Sequence, residues 1–153
     1  LREVREAAKL LEERFGVTED IWSVTSFNEL RRDGLAVERL NRLRPGAQPK
    51  KTFVEELLDG RTGPVIAATD YMKLYADQIR QWVPATYKVL GTDGFGRSDS
   101  RRKLRHFFEV DRCWIAYTAL AALVEAGTLE ATVLTEAIEA FGIDPDKTIP
   151  TDC

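Results

Sequence analysis

Val89-Leu90-Gly91-Thr92-Asp93-Gly94-Phe95-Gly96-Arg97-Ser98-Asp99 reads as the end of a buried strand, a glycine-hinged turn and the approach to a helix. Val89 and Leu90 are the apolar strand end. Gly91, Gly94 and Gly96 admit backbone angles that a β-carbon forbids. Ser98, Asp99 and Ser100 are each candidate N-caps for the helix that follows. Strand, glycine turn and helix in that order put polar groups at the carboxyl edge of a sheet, where open α/β folds place ligands and contacts. The spacing is G-x-x-G-x-G, which departs from the dinucleotide fingerprint G-x-G-x-x-G. A turn into a helix N-terminus can receive an anion, and it can equally serve only to redirect the chain.

Working upstream, Tyr87–Leu90 is the strand feeding this turn, and Pro64–Ala68 is an apolar run suited to burial on both faces. Between them, Asp70 is positioned to cap a helix with Tyr71, Leu74, Tyr75, Ile79 and Trp82 on its apolar face, ended by Pro84. Ile21–Thr25 is short, β-branched and aromatic, and predicts a strand. Leu1, Val4, Ala8, Leu11 and Phe15 recur at helical steps before Gly16. Ser26-Phe27-Asn28-Glu29 has the capping-box form, opening a helix through Leu30, Val37 and Leu40 with a break expected near Gly34. Arg44–Lys51 reads as an exposed connection, followed by a short helix over Phe53–Leu58.

Downstream of the glycine turn three helices are expected. The first carries Leu104, Phe107 and Phe108. The second is capped by Asp111 and ended by Gly127. The third is capped by Thr128 and closed by Gly142, before a polar tail. Helices between strands predict parallel β-α-β units with right-handed crossovers. Residues 1–153 are expected to form one domain, α/β in class. Three strands make a thin sheet, so a further strand is expected just upstream of Leu1.

Composition narrows the function classes. An apolar fraction of 44% with 31% charged residues is that of a globular chain. A net charge of −3 argues against general nucleic-acid binding. No apolar run approaches about 20 residues, so no membrane span is expected. The chain opens on a helical pattern, and no signal peptide is expected. Cys113 and Cys153 form no disulfide framework, which fits a reducing, cytoplasmic setting. The single histidine excludes His-pair metal motifs.

Five blocks carry a family resemblance: Ser23–Gly34, Ala68–Lys73, Val89–Asp99, Leu104–Asp111 and Gly142–Lys147. In order and nearly end to end, the chain resembles the decarboxylating component of homodimeric bacterial pyruvate dehydrogenases. The match is to its last domain, of the transketolase C-terminal type. The resemblance implies a three-layer α/β/α unit with a mainly parallel sheet, lacking its first strand. It implies a parent that decarboxylates pyruvate on thiamine diphosphate with magnesium and acetylates a lipoyl group. Both cofactors would be held by upstream domains, with no catalytic, cofactor or metal residue in this chain. Implied partners are the rest of the parent chain, its dimer mate and the acyltransferase component.

The residues agree with that division. Thr92-Asp93-Gly94 has threonine where the family's Gly-Asp-Gly begins, and no asparagine follows Asn41. Leu40, Arg44 and Phe107 also depart from the family pattern, leaving open a relative that prefers 2-oxobutyrate. Ser98, His106 and Asp111 hold the ingredients of a catalytic triad. Their spacings make poor helical neighbours, and two caps with an exposed imidazole is the plainer reading. Interface or loop candidates are Asp93, Phe95, Arg97, Ser98, Asp99, Arg101, Arg102 and His106. Arg97 is expected to make a fixed ion pair in the assembled enzyme, and Phe95 to fold back onto the core. The alternative role is a docking module within a 2-oxo acid dehydrogenase complex. Trp22, Trp82 and Trp114 are expected in the core.

Overall fold

The computed structural model of the chain describes residues 1–152. The expectation for Cys153 lies outside the described residues. At the centre are two parallel strands, β1 (Val65–Ala68) and β2 (Tyr87–Leu90), paired from Val65↔Tyr87 to Ala68↔Leu90. Successive side chains on a strand point to opposite faces, and the register turns that alternation into two cores. Val65, Ala67, Tyr87 and Val89 face one cluster, with Val54, Leu58, Ile79 and Trp82. Ala68 and Leu90 face the other, with Ala7, Leu11, Ile115, Ala116, Leu120 and Ala137.

Each cluster is roofed by helices. α1 (Arg2–Phe15), α6 (Arg112–Glu125) and α7 (Thr132–Phe141) cover the Ala68–Leu90 side. Ala7 and Ala116 are almost fully buried, which lets those helices approach closely. α2 (Phe27–Leu43), α3 (Phe53–Leu57) and a 3-10 turn at Arg80–Trp82 cover the other side. The result is a helix–sheet–helix sandwich on a small parallel sheet, the α/β class expected. α4 (Lys73–Asp77) and α5 (Arg101–Phe107) lie at the ends of β1 and β2.

Helix ends follow their sequence signals in most cases. Gly16 and Gly142 take left-handed angles, φ 63° and 62°, and close α1 and α7. Asp111 Oδ1 accepts from the Cys113 and Trp114 amides, both at 3.0 Å, and starts α6. Ser26 accepts from the Glu29 amide at 3.2 Å, but the Glu29 carboxylate turns to Arg32 instead of closing the box. The full capping box is at Thr52 and Glu55, where each side chain meets the other's backbone amide. The exposed connection after α2 is clasped by the Asn41 carboxamide, which bonds both backbone groups of Lys50 at 2.9 Å.

Several expectations are corrected. Ile21–Thr25 forms no strand, and Ile21, Trp22 and Val24 stay partly exposed. A strand needs a neighbour's backbone groups, and among the described residues β1 pairs with β2 alone. The segment is held instead by an Asp20–Arg61 ion pair and by the Arg61 guanidinium over Trp22, 5.4 Å from the ring centre. Trp22 is therefore not a core residue, whereas Trp82 is buried. α2 runs unbroken through Gly34 because the Trp82 indole lies on it; a β-carbon there would come within 2.3 Å of the ring. Asp70 caps nothing: α4 starts at Lys73, and the Asp70 carboxylate accepts from Arg105 at 2.8 Å. Of the apolar face expected there, Ile79 and Trp82 are buried while Tyr71, Leu74 and Tyr75 are exposed. Thr128 does not cap α7, which begins at Thr132 after Ala131. The tail is not wholly free, since Pro150 is buried.

Candidate functional site

The glycine turn sits at the carboxyl edge of β2 and is pinned at both ends. Gly91 has no room for a side chain: a β-carbon would lie 2.6 Å from the Tyr71 carbonyl and 2.7 Å from the Lys73 amide. That approach lets the Thr92 amide donate to Tyr71 O at 2.9 Å. The Asp93 carboxylate accepts from the Lys73 amide at 3.2 and 3.3 Å, so it ties the turn to the start of α4. Gly94 takes φ 113°, and a β-carbon there would be 2.5 Å from the Pro150 carbonyl. Phe95 then projects outward with 75% of its surface exposed. It does not fold back onto the core; flanked by two glycines, it has no neighbouring side chain to shelter it.

Beyond Phe95 the charges sort into engaged and unengaged. Asp99 Oδ1 accepts from the Ser100 amide at 2.6 Å and lies 3.8 Å from the Lys103 ammonium. Ser100, not Ser98, caps α5 by accepting from the Lys103 amide. Arg97 makes no ion pair among the described residues; its guanidinium lies over the Phe107 ring, 4.1 Å from the centre. The Lys147 ammonium also approaches the Phe107 and Trp114 rings, 5.4 and 5.7 Å from their centres, and pairs with Glu109 at 2.8 Å. Arg101 and Arg102 are exposed and form no ion pair among the described residues.

A network that sequence reasoning missed braces the base of this surface. Glu3 of α1 accepts from Arg112 of α6 at 2.9 Å and from Arg105 of α5 at 3.4 Å. Arg105 also holds Asp70 after β1. The hydrogen bond from Arg112 holds the Glu3 carboxyl below its ordinary value, against the opposing pull of burial. The Arg105 hydrogen bond does the same for Asp70. These residues are far apart in sequence, and no local pattern signals their meeting.

His106 and Asp111 do meet, with Nδ1 and Oδ2 2.9 Å apart. α5 ends at Phe107, and Glu109 takes φ 60°, which turns Asp111 back toward the imidazole. No hydrogen bond joins Ser98 to the pair among the described residues, so the third member of a triad is not assembled. Burial pushes the Cys113 thiol up, which leaves it a poor nucleophile. The turn does not fit a diphosphate and its cation either. Its one carboxylate, Asp93, is occupied by the Lys73 amide, and the chain's own Pro150 carbonyl fills the space against Gly94. What the arrangement offers chemically is recognition: guanidinium groups for carboxylates beside an exposed aromatic ring.

The family described as transketolase-like TK C-terminal domain matches residues 1–111. The chain belongs to that family. A pyruvate dehydrogenase E1 component of Pseudomonas aeruginosa is 69% identical to it over 154 residues, taking in 100% of this chain and 18% of that protein. The protein of the same name from Cupriavidus necator is 51% identical over 149 residues, covering 97% of this chain and 17% of that protein. The one from Escherichia coli is 50% identical over 151 residues, covering 98% and 17%. The chain thus spans 18% or less of the length of these relatives. No helix among the described residues is long and apolar enough to cross a membrane.

Proposed function

We propose that this chain is the C-terminal domain of a pyruvate dehydrogenase E1 component and supports that enzyme mechanically. The observation that carries the reading is 69% identity along the whole chain to a protein of that name. The parent decarboxylates pyruvate on thiamine diphosphate with magnesium, and passes the acetyl group to a lipoyl arm of the acyltransferase component in the cytoplasm. In such chemistry the cofactor carries the hard step, and the protein positions and shields it. Upstream domains hold both cofactors; the occupied Asp93 and the filled space at Gly94 support keeping them out of this turn.

Residues 1–153 act as one unit in this reading. The family match stops at residue 111, but α6 packs on α1 and roofs the sheet, so the remaining helices belong to the same core. Asp93, Phe95, Arg97, Ser98, Asp99, Arg101, Arg102 and His106 contribute to contacts with the parent chain or its dimer mate and not to bond making.

Two measurements test the reading. Calorimetry of the 153-residue chain with thiamine diphosphate and magnesium is expected to show no micromolar binding; a micromolar isotherm overturns the division of labour. The full-length protein is expected to turn over pyruvate with acetylation of a lipoyl substrate. A clear preference for 2-oxobutyrate would assign the parent to the neighbouring specificity.

A further inference from the structure

Residues 95–105 carry five cations, Arg97, Arg101, Arg102, Lys103 and Arg105, against one anion, Asp99, in a chain whose net charge is −3. Three of the five have partners here: Lys103 with Asp99, Arg105 with Asp70 and Glu3, and Arg97 with the Phe107 ring. Arg101 and Arg102 are exposed in the first turn of α5, which contains no acidic residue. Positive charge there opposes the helix dipole; Asp70, already paired with Arg105, attracts Arg101 without forming an ion pair with it. Phe95 adds an aromatic ring exposed over 75% of its surface.

The backbone is anchored on both sides of this display. Asp93, Thr92 and Gly94 anchor one end against Lys73, Tyr71 and Pro150, and the Ser100 cap holds the start of α5. A display held in place before contact loses little freedom on binding. An apolar ring beside two unpaired guanidiniums fits a polypeptide that brings carboxylates and one apolar side chain.

We propose that Phe95, Arg101 and Arg102 dock an acidic segment from the remainder of the parent protein. Two observations favour that occupant: the surplus positive charge, and the fact that relatives of this chain extend far beyond the 18% of their length it covers. The inference rests on the chain belonging to a longer protein, and not on which reaction that protein performs.

The test uses purified full-length protein with no other component present. Hydroxyl-radical footprinting of the wild type is expected to show Phe95 protected. Labelling should rise severalfold in R101E/R102E, and in the wild type at about 1 M salt, where charges more than about 3 Å apart are largely screened. Zero-length carbodiimide coupling of R101K/R102K is expected to join position 101 or 102 to an Asp or Glu outside residues 1–153. Phe95 labelled in the wild type as fast as in a free peptide overturns the proposal. So do couplings confined to Asp70 or Asp99. Neither readout depends on pyruvate turnover, so failure here is separable from failure of the enzyme assignment.

Discussion

Tyr87 shows how one buried polar group couples the sheet to the chain around it. Its side chain is 6% exposed, and its hydroxyl donates to the Ala76 carbonyl at 2.9 Å. Burial pushes the phenol up to about 12, Asp77 pushes the same way, and Arg80 opposes them. The ordinary value is 10.0, so the folded state favours the neutral phenol. Its contribution is therefore complete below pH 10 and is lost as pH rises through about 12. Tyr87→Phe leaves the Ala76 carbonyl without that donor and is expected to cost about 1–3 kcal/mol at neutral pH. In urea unfolding across pH 9 to about 12, the difference between wild type and Tyr87→Phe should shrink as the phenol is forced to ionise. A difference independent of pH would mean that the hydroxyl does not titrate with folding. Glu3 gives the opposite sign at the acid end. Its carboxyl is held below 4.5 mainly by the Arg112 hydrogen bond, so its contribution is present above that pH and fades as pH falls below it. Glu3→Gln is expected to flatten the stability curve as pH falls below 4.5, read by the same titration.

At the scale of elements, α2 is decided by a contact that no local pattern contains. Gly34 lowers helix propensity by about 1 kcal/mol relative to alanine, so the sequence predicts a break. The break does not occur, because Trp82 lies on the glycine face and closes the core there. Gly34→Ala improves local propensity yet places a β-carbon 2.3 Å from the indole. The clash is expected to dominate, with a net loss of about 1–3 kcal/mol in urea unfolding; a stabilised variant would show that the indole moves aside freely. The same logic separates what was legible in the sequence from what was not. β1 and β2 are legible because each is an apolar run and the two find each other as partners, and α1 and the Asp111 cap because their own few residues mark them. Ile21–Thr25 was misread because a strand is a pair property and propensity reports only one member. Asp70 was misread as a cap because its partner, Arg105, lies 35 residues away. In the candidate site, the turn itself is visible in the glycines, but not the contacts with Tyr71, Lys73 and Pro150 that pin it. The outward Phe95, the Arg97–Phe107 stack and the Glu3–Arg105–Arg112 brace required tertiary proximity.

The whole molecule is two cores divided by a sheet only two strands wide. Ile115, Ala116 and Leu120 pack with α1 and α7 on one side, while Val54, Ile79 and Trp82 pack beneath α2 on the other. The clusters share no side chain, and β1 and β2 give alternate residues to each. If the sheet acts as a rigid divider, a small cavity on one side is not felt on the other. Ile115→Val and Ile79→Val are each expected to cost about 0.5–1.5 kcal/mol. In the double variant the losses should add to within about 0.5 kcal/mol, as for sites without shared partners. Urea unfolding of the four proteins completes the cycle. A coupling well above that figure would show that two parallel strands transmit packing strain between the layers. The layers could then not be treated as independent supports in any larger assembly. Additivity would instead let the α1–α6 side, which bears the Glu3 brace, answer to contacts at the glycine turn without disturbing the Trp82 side.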